Sequence, residues 1–123
     1  MNKGKKGIKM TIRELIDSGY FEVVTEGKWG NQRISTPYCC DLLSHAMGKA
    51  PEGCAWVTVI GNRNTLAVAS LVKASCIILA EGIQPEEGME EKAMELGIPV
   101  FKTNQPVFEA ALAVSGPGYL SFF

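Results

Sequence analysis

The sequence predicts a small α/β domain in which a mainly parallel sheet of about four to five strands carries helices on both faces. Three short apolar runs, at residues 55–60, 76–80 and 98–102, are separated by segments long enough to form helices. Such runs are typical of parallel strands buried on both faces. Polar residues follow each run directly, and open α/β sheets bind ligands at that edge. At 123 residues, the chain is long enough for one domain with its own hydrophobic core.

The N-terminal part is predicted to form a helix followed by a hairpin. Thr11 and Glu14 have the spacing of a capping box, and Gly19 is placed to end the helix. Two short segments at residues 21–25 and 33–36 have the composition of strands. A turn that contains Gly27 and Gly30 separates the two segments, so they could pair with each other.

Further helices are predicted from caps and from apolar periodicity. Pro37 is expected to end the second strand, because proline cannot donate to a strand ladder. Asp41 is the predicted N-cap of a helix over residues 42–47, which Gly48 is expected to end. Asn64 is the predicted cap of the helix that follows the first apolar run. The helices expected between and after the three apolar runs cover residues 64–73, 86–96 and 106–114.

Composition and charge exclude several classes of protein. The net charge of −1 and the pI of about 5.8 argue against nucleic-acid binding, which usually needs a clearly basic face. The basic residues that do cluster are lysines within residues 1–10, a segment expected to be a flexible leader. No apolar core follows these lysines as in a signal peptide, and no apolar run approaches ~20 residues, so neither secretion nor a membrane span is expected. A cytoplasmic location follows by default.

The residue types that usually carry catalysis or bind metals do not form a site in this sequence. The cysteines are Cys39, Cys40, Cys54 and Cys76, and none of them is spaced as Cys-x-x-Cys. His45 is the only histidine, so a histidine-rich metal site is excluded. Ser44 and His45 would point about 100° apart on one helix, which prevents a catalytic relay with Asp41. We therefore expect no metal, no cofactor and no catalysis; a small enzyme that uses Cys40 is the less favoured alternative.

A ligand site is predicted where the polar residues follow the strands. The predicted site residues are Gly61, Asn62, Arg63, Asn64, Glu81, Gly82, Thr103 and Asn104. Gly61 allows a sharp turn off the strand, the N–H groups of the next helix can bind an anion, and Arg63 adds a positive charge. Thr103 and Asn104 would add polar contacts, and Glu81 would select against highly charged ligands. The alternative is an ordinary strand-to-helix turn with a solvated arginine.

Two apolar segments predict a homodimer. The helix over residues 64–72 is apolar almost all round, whereas a helix that covers one face of a sheet normally has a polar outer stripe. The segment 115–123 forms an apolar C-terminal tail that is rich in aromatic residues. Both could be buried against a second subunit. The alternatives are that the chain's own N-terminal elements cover the helix and that the tail is a disordered end.

Several short motifs carry a resemblance to a known family. They are Asp41-Leu42-Leu43-Ser44, Trp56-Val57-Thr58, Asn64, Ala67-Val68-Ala69, Cys76-Ile77-Ile78-Leu79, Gly82 with Pro85, Gly97-Ile98-Pro99-Val100, Thr103 and Phe108. In this combination the sequence resembles the DRTGG domain family from about residue 10 to residue 114. Such domains are similar to the N-terminal domain of HPr kinase/phosphorylase and to modules in phosphotransacetylases and CBS-containing pyrophosphatases.

The resemblance implies a DRTGG-like α/β domain over residues 11–114 that acts as an accessory module and not as a kinase. The two stretches that give the family its name are only partly conserved in this sequence. This chain has Gly61-Asn62-Arg63 where many members have Gly-Asp-Arg, and Ala80-Glu81-Gly82 where they have Thr-Gly-Gly. The predicted function is a non-catalytic regulatory or ligand-sensing module for a nucleotide or a phosphorylated metabolite. The alternative is a protein–protein interaction module that accompanies a metabolic enzyme.

Overall fold

The computed structural model describes residues 10–28 and 32–120, with side chains described as far as residue 116. The predictions for Gly30, for residues 1–9 of the basic leader and for residues 121–123 of the tail lie outside the described residues. So does any contact that the side chains of residues 117–120 make.

The described residues form five helices and five strands. The helices are α1 (Ile12–Ser18), α2 (Leu43–Lys49), α3 (Arg63–Val72), α4 (Met89–Leu96) and α5 (Val107–Leu120). The strands are β1 (Glu22–Thr25), β2 (Pro37–Cys39), β3 (Ala55–Thr58), β4 (Cys76–Leu79) and β5 (Val100–Lys102). Each predicted apolar run contains one of the strands β3, β4 and β5.

The strands form a single mixed sheet in the order β1-β5-β4-β3-β2. Strands β2 to β5 are parallel, and β1 pairs with β5 in the antiparallel direction. The register of the central pair places Ala55 opposite Cys76 and Thr58 opposite Leu79. The predicted mainly parallel sheet is confirmed, with β1 as its one antiparallel member.

Two hydrophobic cores lie on opposite faces of the sheet, because successive residues of a strand point to opposite sides. The first core combines the sheet residues Ala55, Val57, Ile78 and Phe101 with Ile12 and Leu15 of α1 and Ala110 and Val114 of α5. The second combines Trp56, Ile77, Leu79 and Val100 with Ala46 of α2, Leu66 and Ala69 of α3 and Met89 and Ala93 of α4. Helices therefore cover both faces, as predicted.

The capping box of α1 is present as predicted. The Thr11 hydroxyl accepts a hydrogen bond from the Glu14 N–H at 3.0 Å, and the Glu14 carboxylate accepts one from the Thr11 N–H at 2.8 Å. Gly19 follows the helix in the left-handed conformation, with φ of 72°. The same arrangement ends α4, where Gly97 has φ of 73°.

The predicted hairpin is wrong. Strands β1 and β2 lie at opposite edges of the sheet, and Pro37 begins β2 instead of ending a strand over 33–36. Proline is tolerated as the first residue of an edge strand, where no ladder partner needs its missing N–H. The segment before Pro37 pairs with the chain ahead of α1, since the Ile34 N–H donates to the Met10 carbonyl at 2.8 Å.

The start and end of α2 also differ from the prediction. The N-cap is Leu42 without a side-chain cap, the helix runs through Gly48, and Ala50 follows as its C-cap. Asp41 does not cap the helix, because its Oδ1 accepts hydrogen bonds from the Thr58 hydroxyl at 2.7 Å and from the Val59 N–H at 2.8 Å. Asp41 therefore ties the end of β2 to the end of β3.

The limits of the last three helices are shifted by residues with special conformations. Asn62, and not Asn64, caps α3. Helix α4 begins at Met89 because Gly88 precedes it with φ of 89°, so the predicted first turn from residue 86 is not helical. Helix α5 continues past residue 114 to Leu120, with a kink at Gly116, where φ is 74° and ψ is −179°.

Helix α3 buries one face and exposes the other. Leu66, Val68 and Ala69 are buried in the second core, whereas Leu71 is 64% exposed and Ala67 is also exposed. The chain's own elements thus cover half of this helix. Its exposed residues are the apolar Ala67 and Leu71 and the polar Arg63, Asn64 and Ser70, so the prediction that it is apolar almost all round holds only in part. No helix in residues 10–28 or 32–120 is long and apolar enough to cross a membrane.

Candidate functional site

The carboxyl ends of the parallel strands and the amino end of β1 meet at one edge of the sheet. An open cavity of about 470 Å³ lies there, between the loop that enters β1 and the loops that leave β4 and β5. Its lining residues are Gly19, Tyr20, Phe21, Glu22, Gly82, Ile83, Gln84, Lys102, Thr103 and Asn104. Three of the predicted site residues, Gly82, Thr103 and Asn104, are brought together in this cavity.

Backbone hydrogen bonds join the loop after β4 to the loop after β5, and together these loops form one wall of the cavity. The Gly82 N–H donates to the Thr103 carbonyl at 3.0 Å, and the Glu81 N–H donates to the Gln105 carbonyl at 2.9 Å. The Gln105 N–H in turn donates to the Thr103 hydroxyl at 3.1 Å. Because these bonds join the loop after β4 to the loop after β5, the backbone of the wall has a fixed position.

Lys102 places a positive charge on this wall. Its ammonium donates to the Gln84 side-chain carbonyl at 2.8 Å and lies 3.6 Å from a carboxylate oxygen of Glu22. The Lys102 side chain is 23% exposed, whereas that of Glu22 is 71% exposed. An ammonium has three donors, so Lys102 can hold both neighbours and still donate to a ligand in the cavity.

Tyr20 contributes an aromatic surface to the cavity. Its side chain is 49% exposed and packs edge-on against Phe21, with ring centroids 6.4 Å apart. Phe21 is buried, with its ring centroid 6.3 Å from that of Phe101 in the first core. Contact with this anchored pair holds the Tyr20 ring at the cavity, where a planar group could stack on it.

The other half of the predicted site lies apart from this cavity. Asn62, Arg63 and Asn64 line a smaller hollow of about 260 Å³ together with Glu86 and Glu87. The Asn62 side chain accepts hydrogen bonds from the N–H groups of Asn64 and Thr65 at 2.9 and 3.2 Å. These N–H groups at the start of α3 are therefore already paired, and two acidic residues share the hollow with Arg63.

The remaining two predicted site residues, Gly61 and Glu81, make hydrogen bonds that connect neighbouring loops. Gly61 is buried, and its carbonyl accepts a hydrogen bond from the Glu86 N–H at 2.7 Å. A Cβ atom at Gly61 would lie 3.2 Å from the Gln84 carbonyl oxygen, so the loop after β3 packs closely against residues 83–84. The Glu81 carboxylate accepts a hydrogen bond from the Val107 N–H at 2.9 Å, at the start of α5.

Tyr20, Gln84 and Lys102 were not predicted as site residues. Lys102 falls at the end of the apolar run 98–102, where it looks like the solvated end of a strand. A signal was present, because Lys102 is the one charged residue of that run and directly precedes Thr103. Tyr20 gave no such signal, since its place at the site follows from the antiparallel pairing of β1 with β5.

At three of the four cysteines, Cys39, Cys54 and Cys76, burial disfavours the ionised thiol. All four are free thiols. Burial raises the pKa of Cys54 to about 11 and that of Cys76 to about 12, so both remain protonated at neutral pH. Burial, followed by the nearby Asp41 charge, also raises the pKa of Cys39. Among the described residues, no group of three or more His, Cys, Asp or Glu side chains is placed to hold a metal ion.

A mainly parallel sheet covered on both faces, with a polar cavity at its carboxyl edge, defines a small α/β domain. The family model of the DRTGG domain matches residues 22–116. The chain therefore belongs to the DRTGG domain family, and the resemblance noted in the sequence is confirmed. No curated protein matches the chain.

A solved structure shares this fold. It is the crystal structure of the CBS and DRTGG domains from the regulatory region of Clostridium perfringens pyrophosphatase, complexed with its activator, diadenosine tetraphosphate. The TM-score is 0.61 and the sequence identity is 16%; the match covers 85% of this chain. The chain spans about half the length of that structure, since the match covers 46% of it. In that protein the DRTGG domain is part of the regulatory region.

Proposed function

We propose that this DRTGG domain is a non-catalytic regulatory module that binds a small anionic ligand, either a nucleotide or a phosphorylated metabolite. The binding site is the cavity at the carboxyl edge of the sheet. The observation that carries the proposal is the ammonium of Lys102, which lies beside Thr103 and Asn104 on a wall whose backbone is held by hydrogen bonds. A volume of about 470 Å³ falls within the range of small-molecule sites.

The lining groups suit the two parts of a nucleotide. A phosphate would accept hydrogen bonds from Lys102 and from the Thr103 hydroxyl. A base would stack on Tyr20, with the Asn104 and Gln84 amides available to its polar edge. The pyrophosphatase whose regulatory region shares this fold is activated by an adenine dinucleotide, which supports adenine nucleotides as the first ligands to test.

Arg63 offers a second position for an anion, so the site could lie at Arg63 instead of at Lys102. Its hollow contains three of the predicted binding residues, but the Asn62 side chain already accepts from the Asn64 and Thr65 N–H groups there. Glu86 and Glu87 do not separate the two positions, because they also line a hollow that contains Lys102. We therefore centre the site on Lys102 and treat binding by Gly61, Asn62, Arg63 and Asn64 as the competing assignment.

A thermal-shift panel tests the proposal, with AMP, ATP, diadenosine tetraphosphate, sugar phosphates and organic acids as probes. A ligand at 100 times its Kd stabilises the fold by about 2.7 kcal/mol, which raises the Tm of a domain of this size by about 10 °C. Lys102→Met should abolish the shift, and the matched variant Arg63→Met should retain it. The reverse pattern moves the site to Arg63, and no shift with any probe contradicts the ligand-binding function.

The exposed face of α3 supports a second proposal, that the domain associates with another copy of itself. Leu71 is 64% exposed, and Leu42 and Met47 at α2 are 62% and 49% exposed. Burial of such side chains is worth about 25 cal/mol per Å² before the cost of association. A protein partner, such as the metabolic enzyme that the module would accompany, could use the same surface.

A further inference from the structure

Two hollows meet at the proposed site and share three residues. Beside the cavity, a hollow of about 680 Å³ lies between strand β1 and helix α4. Glu22, Gln84 and Lys102 line both of them. The same three side chains contact one another, since the Lys102 ammonium donates to the Gln84 carbonyl at 2.8 Å and lies 3.6 Å from a Glu22 carboxylate oxygen. They therefore form a polar bridge between the two hollows.

The two contacts of Lys102 in this bridge differ in strength. Glu22 and Lys102 are directly opposite each other in the register of β1 and β5, so their side chains leave the sheet on the same face. Their separation of 3.6 Å is longer than a charge-assisted hydrogen bond of about 2.7–2.9 Å. The Glu22 side chain is also 71% exposed, and such ion pairs are weak. Another anion can therefore replace Glu22, while the shorter bond to Gln84 keeps Lys102 in place.

The two hollows also differ in charge. The larger hollow is lined by Lys102 and five glutamates, which are Glu22, Glu86, Glu87, Glu90 and Glu91, so an anion that enters there is repelled. In the cavity, Glu22 is the one acidic residue and Lys102 the one basic residue among the described lining residues. An anionic ligand is therefore least opposed when it approaches Lys102 from the cavity, where Glu22 already balances the charge of the ammonium.

We infer that Glu22 is an internal competitor of the ligand. It pairs with Lys102 in the free protein, and it turns away to solvent when the anionic group of the ligand binds. A phosphate monoester carries a charge of about −1.5 to −2 at pH 7, so it pairs with the ammonium more strongly than Glu22 does. A monocarboxylate only exchanges one carboxylate for another. The inference rests on the proposed function and narrows the ligand to phosphate monoesters over simple organic acids.

Calorimetric titration of the whole chain with AMP and with glucose 6-phosphate, in buffer of low ionic strength, tests this role. Glu22→Gln keeps the length of the side chain and removes its charge. Loss of an exposed ion pair changes an equilibrium about two- to fivefold, so the Kd of both phosphates should fall by that factor. The difference should disappear at about 1 M salt, which screens exposed charges. A substitution that only disturbed the fold would weaken binding instead.

Two further variants serve as controls. Glu52→Gln removes an exposed charge before β3, at the amino edge of the sheet, and should leave both Kd values unchanged. Glu22→Gln combined with Lys102→Met should bind no more tightly than Lys102→Met alone, because the charge for which Glu22 competes is gone. Glucuronate, which has a carboxylate in place of the phosphate, should bind the wild-type chain more weakly than glucose 6-phosphate.

The possible failures are distinguishable. A Kd that Glu22→Gln leaves unchanged or raises, that Glu52→Gln lowers equally, or that still falls without Lys102 overturns the role of Glu22 while the site itself stands. Equal binding of glucuronate and glucose 6-phosphate overturns the preference for phosphate. If the wild-type chain binds neither AMP nor glucose 6-phosphate, the inference fails together with the proposed site.

Discussion

Three glycine-to-alanine substitutions should change stability in three different ways, and Gly27→Ala should be the most damaging. Gly27 has φ of 68° and follows β1. A Cβ atom built there would lie 2.6 Å from the Pro99 nitrogen, 2.7 Å from the Gly97 carbonyl oxygen and 2.8 Å from the Ile98 carbonyl carbon. All three are backbone atoms, which cannot move aside as the end of a flexible side chain could.

The size of each effect follows from the surroundings of the added methyl group. An L-residue in the left-handed region costs about 1 kcal/mol, and overpacking against a fixed backbone adds about 1–3 kcal/mol. Gly27→Ala should therefore lower the free energy of unfolding by about 3 kcal/mol. Gly19→Ala, with φ of 72° and nothing within 4 Å, should lose about 1 kcal/mol. Gly48→Ala lies in a helix with open space around it and should gain about 0.5 kcal/mol.

Urea unfolding followed by circular dichroism measures all three variants. The order of stability should be Gly48→Ala, wild type, Gly19→Ala and Gly27→Ala. The packing of residue 27 against the turn before β5 would be refuted if Gly27→Ala cost no more than Gly19→Ala. If Gly48→Ala were destabilising, Gly48 could not lie within α2.

Three further predictions concern other parts of the fold. Asp41→Ala should lower the free energy of unfolding by about 1.5 kcal/mol, because it removes the acceptor for Thr58 and Val59. It should also speed hydrogen exchange at the Val59 amide. Asp41→Asn should have a smaller effect, and a larger loss of stability in Asp41→Asn than in Asp41→Ala would contradict these hydrogen bonds. Burial raises the pKa of Cys76 to about 12, so the folded state keeps a proton that the unfolded thiol loses above pH ~9. The free energy of unfolding should therefore fall above pH ~9 by roughly 1 kcal/mol per pH unit. In Cys76→Ala this dependence of stability on pH should be weaker. If α3 forms a homodimer contact, Leu71→Asp should reduce the mass in light scattering towards 13.3 kDa without unfolding; a wild-type chain that is already monomeric on dilution would refute the dimer.

The central strands could be predicted because local sequence and final environment agree there. Residues 76–79 are a run of four apolar side chains, and all four are buried, with alternate ones in opposite cores. The capping box of α1 is equally local, since Thr11 and Glu14 satisfy each other within one turn.

The errors arise where distant parts of the chain compete with a local pattern. Asp41 stands where an N-cap is expected, but Thr58 and Val59, brought beside it by the pairing of β2 with β3, take its carboxylate. Likewise, residues 21–25 and 33–36 look like a hairpin locally, yet the edge of β5 is the partner that β1 pairs with.

The candidate site was half predictable for the same reason. Thr103 and Asn104 could be placed because parallel strands direct their carboxyl ends to one edge. Tyr20 could not, because no pattern within the sequence shows that β1 runs against β5. The separation of Arg63 from Thr103 depends on how residues 83–87 fold over Gly61, which is tertiary packing and leaves no periodic trace.

The pairing of β1 with β5 has a consequence for the order of events in folding. It joins residues 22–25 to residues 100–102, a contact that closes a loop of most of the chain and is therefore slow to form. The cavity takes Tyr20 from the first part of the chain and Lys102 from the last part. During synthesis the proposed site is therefore incomplete until β5 has left the ribosome. A nascent or truncated chain that ends before residue 100 lacks Lys102 and cannot form this cavity, however well its central strands have formed.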